Sequence, residues 1–160
     1  MAFRIGQGYD LHALCANKPL TLGGIIIPES SKGTIAHSDG DVLLHALIDA
    51  LLGACALNDI GYHFPPSDDK YKNIDSTVLL EKVMKLIAQE NYILVNIDST
   101  VFLEKPKLSP HVFNIRARLS TLLCHPIESI SVKAKTAERF APIGTQEAIA
   151  ASATVLLQNK

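Results

Sequence analysis

His37-Ser38-Asp39-Gly40-Asp41-Val42-Leu43-Leu44-His45-Ala46-Leu47-Ile48-Asp49-Ala50-Leu51-Leu52-Gly53-Ala54-Cys55-Ala56-Leu57 is the stretch whose pattern decides the fold. Leu44, Leu47, Ile48, Leu51 and Leu52 recur at spacings of three and four, so residues 41–57 are expected to be helical. Asp41, His45 and Asp49 form an i, i+4, i+8 row on another face of that helix. Gly40 permits a tight turn ahead of it, and Asp41 can cap it. His45 then leaves the first or second turn of a helix, a rigid platform for a ligand. Cys55 closes the apolar run as a core residue.

Upstream, residues 3–12 alternate as a strand. Phe3, Ile5 and Tyr9 fall on one face, and Asp10 and His12 end the other. Leu20 to Ile27 is a second apolar run, stopped by Pro28. Downstream, Asp59 to Tyr71 is polar, contains Gly61, Pro65, Pro66, Asp68 and Asp69, and is long enough to act as a lid. A second helix is expected from about Ser76 to Glu90, capped by Asp75 or Ser76, with Leu79, Val83, Leu86 and Ile87 inward.

Residues 92–103 alternate, with Ile93, Val95, Ile97, Val101 and Leu103 on one face and Asn96, Asp98 and Thr100 on the other. Ser109-Pro110 opens a third helix that buries Val112, Ile115, Leu119 and Leu122. Ser129 to Thr136 alternates again. Glu147 to Leu157 scores equally as helix and strand, and is assigned as strand. The order β, β, α, α, β, α, β, β predicts an α+β fold: one domain over 1–160, a mixed sheet with three helices packed on one face.

At 160 residues the chain can hide roughly 68–70% of its unfolded surface, enough for a core without staples. A hydrophobic fraction of 48% against 19% charged residues fits a soluble globular protein, and the lack of Trp leaves the core to Leu, Ile, Val and Ala. The net charge of −1 shows no basic face, which argues against a nucleic-acid partner. No segment approaches the ~18 apolar residues of a membrane span. Cys15, Cys55 and Cys124 are widely spaced and read as reduced thiols. A strand pattern beginning at Phe3 leaves no room for a leader, so a cytoplasmic or already processed protein is expected.

Asp10, His12 and His45 are candidate zinc ligands. A carboxylate and two neutral imidazoles suit Zn²⁺, and three protein ligands leave a fourth position open for a phosphate oxygen. Asp-x-His alone is a weak signal, and taken alone it reads first as a surface Asp and His beside an unrelated helix His. His37 and Ser38, ahead of a helix, can donate hydrogen bonds to an anion, although by themselves they read as a capping loop. At the end of the strand at 129–136, Thr136 offers a hydroxyl to a phosphate and Glu138 a hard oxygen to Mg²⁺. His63, His111 and His125 have no partner assignable from spacing.

Together these strings resemble the 2-C-methyl-D-erythritol 2,4-cyclodiphosphate synthase family of the non-mevalonate isoprenoid pathway. The resemblance rests on Arg4-Ile5-Gly6, Gly8 to His12, Gly23-Gly24, Ala36 to Leu47, Asp49 to Ala54, Asp59-Ile60-Gly61, Phe64-Pro65, Asp75-Ser76, Pro106-Lys107 and Val132 to Thr136. It implies a homotrimer with sheets around the threefold axis and active sites between subunits. It implies that Asp10, His12 and His45 hold Zn²⁺ or another divalent transition metal. It assigns Glu138 to Mg²⁺ or Mn²⁺, and His37 and Thr136 to orienting and stabilising the phosphates.

Asp59, Ile60 and Gly61 would meet the ribose. Leu103, Lys105, Pro106, Lys107, Leu108, Ala134, Lys135 and Thr136 of a neighbouring subunit would form the cytosine and phosphate pocket. Phe64, Ser67, Asp68 and Lys72, with Ser76, would close over the methylerythritol phosphate, and Ser38 would contact substrate. The implied reaction is attack of the 2-phosphate of a cytidine diphosphate substrate on its own β-phosphorus, with CMP leaving and no protein nucleophile. A metal-dependent phosphohydrolase and a non-catalytic binding module for isoprenoid diphosphates are two other readings of the same residues.

Overall fold

The computed structural model describes residues 2–160. A long strand, β1 (Phe3–Ala16), is followed by a two-stranded ribbon, β2 (Thr21–Leu22) and β3 (Ile25–Ile26), and a short edge strand, β4 (Lys32–Thr34). Then come α1 (Val42–Ala54), a single turn α2 (Ile60–His63), α3 (Ser76–Gln89), β5 (Tyr92–Phe102), α4 (Val112–Leu123), β6 (Ile130–Lys135), a short α5 (Ala141–Gly144) and β7 (Ala148–Asn159). The main sheet runs β4-β1-β7-β5-β6. Among the described strands of this sheet β5 and β6 pair parallel and the other neighbours antiparallel, so the sheet is mixed, as expected. The ambiguous C-terminal run is the strand β7, at the centre of the sheet.

Helix α1 is the core element. Asp41 caps it by accepting from the Leu44 amide, and nearly every side chain from Val42 to Leu52 is buried, the pattern of a helix enclosed on all sides. It lies on β1 and β7, with α3 on its other flank. Two glycines set how closely it approaches. A Cβ at Gly6 would stand 1.8 Å from the Ala50 carbonyl oxygen, and one at Gly8 2.0 Å from that of Ala46. Backbone therefore meets backbone along the even face of β1. Two strand residues advance about 6.6 Å and four helix residues about 6 Å, so the two elements stay in step. The next even strand positions, Asp10 and His12, fall beside the first turns of α1, where His45 leaves it.

Several expectations need correction. Leu20 to Ile27 is not one strand: Gly23 and Gly24, both at positive φ, fold it into the β2–β3 hairpin. Ile93 does not share the inner face with Ile97, because a bulge between Leu94 and Asn96 shifts the alternation and buries Leu94 instead. Helix α4 starts at Val112, after Pro110, and its buried residues are Ile115, Leu119 and Leu123, with Val112 and Leu122 only partly covered. In α3, Leu80 is buried while Leu86 is only partly covered. The lid segment is structured: it contains α2 and a 3-10 turn ending at Tyr71, whose buried ring meets Phe64 edge-to-face at 5.4 Å. β4, α2 and α5 were too short for any periodicity to announce them.

Candidate active site and metal centre

Three side chains converge above the β1–α1 contact. Asp10 Oδ2 lies 3.0 Å from His12 Nε2 and 2.9 Å from His45 Nδ1, and the two imidazole nitrogens are 3.2 Å apart. Three potential ligand atoms from a strand face and a helix turn thus form a nearly equilateral triangle. A tetrahedral ion bound at about 2.0–2.2 Å would hold its ligands about 3.3–3.6 Å apart, close to the edges seen here. The donor set, one carboxylate oxygen and two imidazoles, is the one zinc takes in sites that keep an open position.

Burial would raise the Asp10 carboxyl, but hydrogen bonds to His12 and His45 outweigh it and hold the group well below the usual carboxylate range. Burial would likewise lower His45; the bond to Asp10 overrides it and raises the imidazole above 6.5.

The triangle forms one wall of a cavity of about 250 Å³. His37 and Ser38 stand beside it, and Ile60, Gly61, Phe64 and Tyr71 face it. The facing wall is tied to α1 by Asp49, which accepts the Ile60 amide at 2.7 Å. Burial raises the Asp49 carboxyl, against that hydrogen bond.

With this geometry, relatives become informative. The pattern of the YgbB family matches residues 3–158. This chain belongs to the YgbB family. The 2-C-methyl-D-erythritol 2,4-cyclodiphosphate synthase of Synechococcus sp. (strain JA-2-3B'a(2-13)) is 53% identical over 154 residues, covering 96% of this chain and 98% of that protein. Among solved structures, the bifunctional IspDF from Campylobacter jejuni aligns with a TM-score of 0.95 at 37% identity, covering 99% of this chain and 43% of that longer one. The CDP complex of IspF from Plasmodium falciparum aligns with a TM-score of 0.88 at 38% identity, covering 99% and 97%.

In this YgbB-family chain the other expected substrate residues gather elsewhere. Leu103, Lys107, Leu108, Ala134, Lys135, Thr136 and Glu138 line a second cavity of about 380 Å³, and Lys105 and Pro106 a third that adjoins it. Thr136 Oγ1 donates to Glu138 Oε1 at 2.5 Å, and Glu138 itself sits at φ +50°. None of these residues lines the cavity of the triangle. The register shows why: Asp10 pairs with Ala151, Ala151 with Val101 and Val101 with Ala134. Both halves lie at the same level of the sheet, but three strand spacings apart, about 14 Å.

The remaining expected residues are dispersed. Asp59 caps α2 through the Tyr62 amide and is exposed. Asp68 pairs with Lys70 at 2.6 Å, and Ser67 and Lys72 are exposed on the same segment. Ser76 is fully buried and does not line the cavity. Its Oγ lies 2.9 Å from His45 Nε2 and donates to Asp39 Oδ1 at 2.5 Å. Asp39 escaped the sequence reading, and no periodicity pointed to it. Asp49 was visible as the third member of the row with Asp41 and His45, but its contact with Ile60 was not.

Partners also emerge for the three unassigned histidines. His111 pairs with Glu29 at 2.8 Å, while His63 and His125 bond the carbonyls of Leu57 and Val95.

Proposed function

We propose that the protein converts 4-diphosphocytidyl-2-C-methyl-D-erythritol 2-phosphate to 2-C-methyl-D-erythritol 2,4-cyclodiphosphate with release of CMP, a phosphorus–oxygen lyase reaction. The observation that carries this is the Asp10–His12–His45 triangle on the wall of a cavity shared with His37 and Ser38. Full-length similarity to proteins named as this synthase supports it, as does likeness to an IspF solved with CDP.

Asp10, His12 and His45 would hold Zn²⁺. Glu138 would contribute one carboxylate to Mg²⁺ or Mn²⁺, ions that commonly take one or two carboxylates and complete their shell with phosphates and water. Bound there, the ions would supply Lewis-acid polarisation and charge neutralisation at the phosphates. The protein's own work is positioning. His37 and Ser38 would donate hydrogen bonds to the methylerythritol-side phosphates, and Thr136 to the diphosphate. An oxygen of the 2-phosphate forms the new bond to the β-phosphorus while the bond from the β-phosphorus to the CMP oxygen breaks. No water and no protein nucleophile enters. The wall at Ile60 to Phe64 would shield the reacting atoms from hydrolysis.

The two half-sites, about 14 Å apart across one sheet, would meet only between subunits. Phe3, Ile5, Tyr9 and Leu11 expose 51–74% of their surface along the outer face of β1. An apolar strip of this kind marks an association surface. A closed threefold ring would join the β6 edge of one copy to the β1 edge of the next and bury these strips around the axis.

Incubating the protein with the cytidylyl substrate, Zn²⁺ and Mg²⁺ should release CMP and a cyclic product. His12→Ala and His45→Ala should lose both bound zinc and turnover. A linear phosphate ester would mark the protein as a hydrolase, and no CMP release at micromolar enzyme would overturn the proposal.

A further inference from the structure

Beneath the triangle lies a second, fully connected layer of polar groups. Ser76 is the first residue of α3, and none of its surface reaches solvent. Its amide donates to Asp39 Oδ2 at 3.0 Å and its hydroxyl to Asp39 Oδ1. Asp39 Oδ1 also accepts the Asp41 amide at 3.2 Å. A serine hydroxyl has one proton, and here it is committed to a carboxylate. The 2.9 Å contact between Ser76 Oγ and His45 Nε2 can then be satisfied in one direction only, with Nε2–H donating. Nε2 therefore carries a proton that the relay retains, and Nδ1, which faces Asp10 Oδ2 at 2.9 Å, is the ring nitrogen that can exchange its proton for a cation.

We infer that Asp39 and Ser76 form a positioning relay that fixes the His45 ring and its tautomer, so that Nδ1 is presented to the metal. The inference rests on the metal role proposed for His45. Carboxylate-anchored second layers of this kind both orient a ligating imidazole and raise its donor strength.

The same layer reaches further than His45. The Asn73 amide donates to the His37 carbonyl at 2.8 Å, and the Asp39 amide to the Ile74 carbonyl at 3.1 Å. With the Ser76–Asp39 pair, these bonds clamp the loop 37–41 onto the start of α3. Ser38 Oγ also approaches His45 Nε2, at 3.1 Å, and accepts the Gly40 amide at 3.2 Å. Both contacts make it an acceptor, so its own proton is free to turn toward the cavity, where it can bind an anion. The two serines around one imidazole thus have different tasks: Ser76 holds the ring, and Ser38 serves the ligand.

Ser76→Ala, together with the near-isosteric Asp39→Asn, tests the relay. An asparagine cannot accept from both the Ser76 amide and hydroxyl. In either orientation its NH₂ opposes a backbone N–H, or turns the serine proton onto His45 Nε2. Zinc affinity is measured by competition with a chromophoric chelator, the His45 Nε2–H resonance of the zinc-loaded protein by NMR, and the fold of the metal-free protein by circular dichroism.

Each variant should retain the wild-type spectrum, bind zinc about 10–100-fold more weakly, and lose the slowly exchanging Nε2–H signal. The double variant should bind no more weakly than the worse single one, as expected of a shared unit. Zinc binding within twofold of wild type in a folded variant, with the Nε2–H signal intact, overturns the relay and leaves the proposed reaction standing. Should Ser76→Ala fail to fold, Asp39→Asn decides alone. A wild-type protein that binds no zinc overturns the metal role itself, and the relay with it.

Discussion

Asp41 shows how one buried side chain serves the site without touching it. Its Oδ1 accepts the Leu44 amide at 3.0 Å and its Oδ2 the Gly24 amide at 2.8 Å, so it both caps α1 and ties the β2–β3 hairpin to it. Burial pushes its carboxyl up to about 6, against the pull of the Gly24, Leu44 and Gly23 amides. The folded state thus holds this proton more tightly than the unfolded chain, whose carboxyl titrates near 3.8. Asp41 favours folding most below about pH 3.8, and that advantage is gone above about pH 6. The difference amounts to about 3 kcal/mol. Denaturant titrations of wild type and Asp41→Asn should therefore show the wild type losing about that much relative to the variant between about pH 3 and pH 7; a gap that stays constant refutes the assignment.

At this scale the sequence disclosed unevenly. Asp10 and His12 were legible because alternation puts them on one face, and His45 because a helix period did the same. Ser76 was named as a cap and a substrate contact, but its bond to Asp39 was not legible, since a hydrogen bond between residues 37 positions apart leaves no periodic trace.

Between elements, the decisive fact is the glycine seam of β1 against α1. Gly8→Ala would place a Cβ 2.0 Å from the Ala46 carbonyl oxygen, a backbone atom that cannot swing aside. The helix must move off the strand, at about 1–3 kcal/mol or more. His45 moves with it, away from Asp10. Gly53→Ala is the internal control, because among the described residues nothing lies within 4 Å of a Cβ there. Gly8→Ala should lower both thermal stability and zinc affinity, while Gly53→Ala, in the exposed end of α1, leaves zinc affinity unchanged and raises stability slightly if at all; a Gly8→Ala protein with wild-type zinc affinity would show that the seam does not set the site.

The long helices were readable because each keeps a 3.6-residue period through three turns or more. The hairpin at Gly23-Gly24 and the bulge at Leu94 were not. Each breaks a period through one or two local backbone choices, and the apolar composition around them stays the same.

For the whole molecule, the outstanding question is where the substrate's two ends are held. One chain separates the triangle from Thr136 and Glu138 by three strand spacings, and leaves an apolar strip of β1 exposed. Sequence patterning displayed Phe3, Ile5 and Tyr9 as one face of a strand, but periodicity records that a face exists and not what covers it. A composite site between subunits accounts for both observations.

Subunit mixing tests this most directly. His45→Ala would remove one proposed half-site and Thr136→Ala the other, so each variant alone should be nearly inactive. Co-refolded at equal amounts, they should regain CMP release at about a quarter of the wild-type rate, because one interface in four pairs two intact halves in a closed ring. Mixed oligomers no more active than either parent would contradict the composite site and place the whole reaction within one subunit.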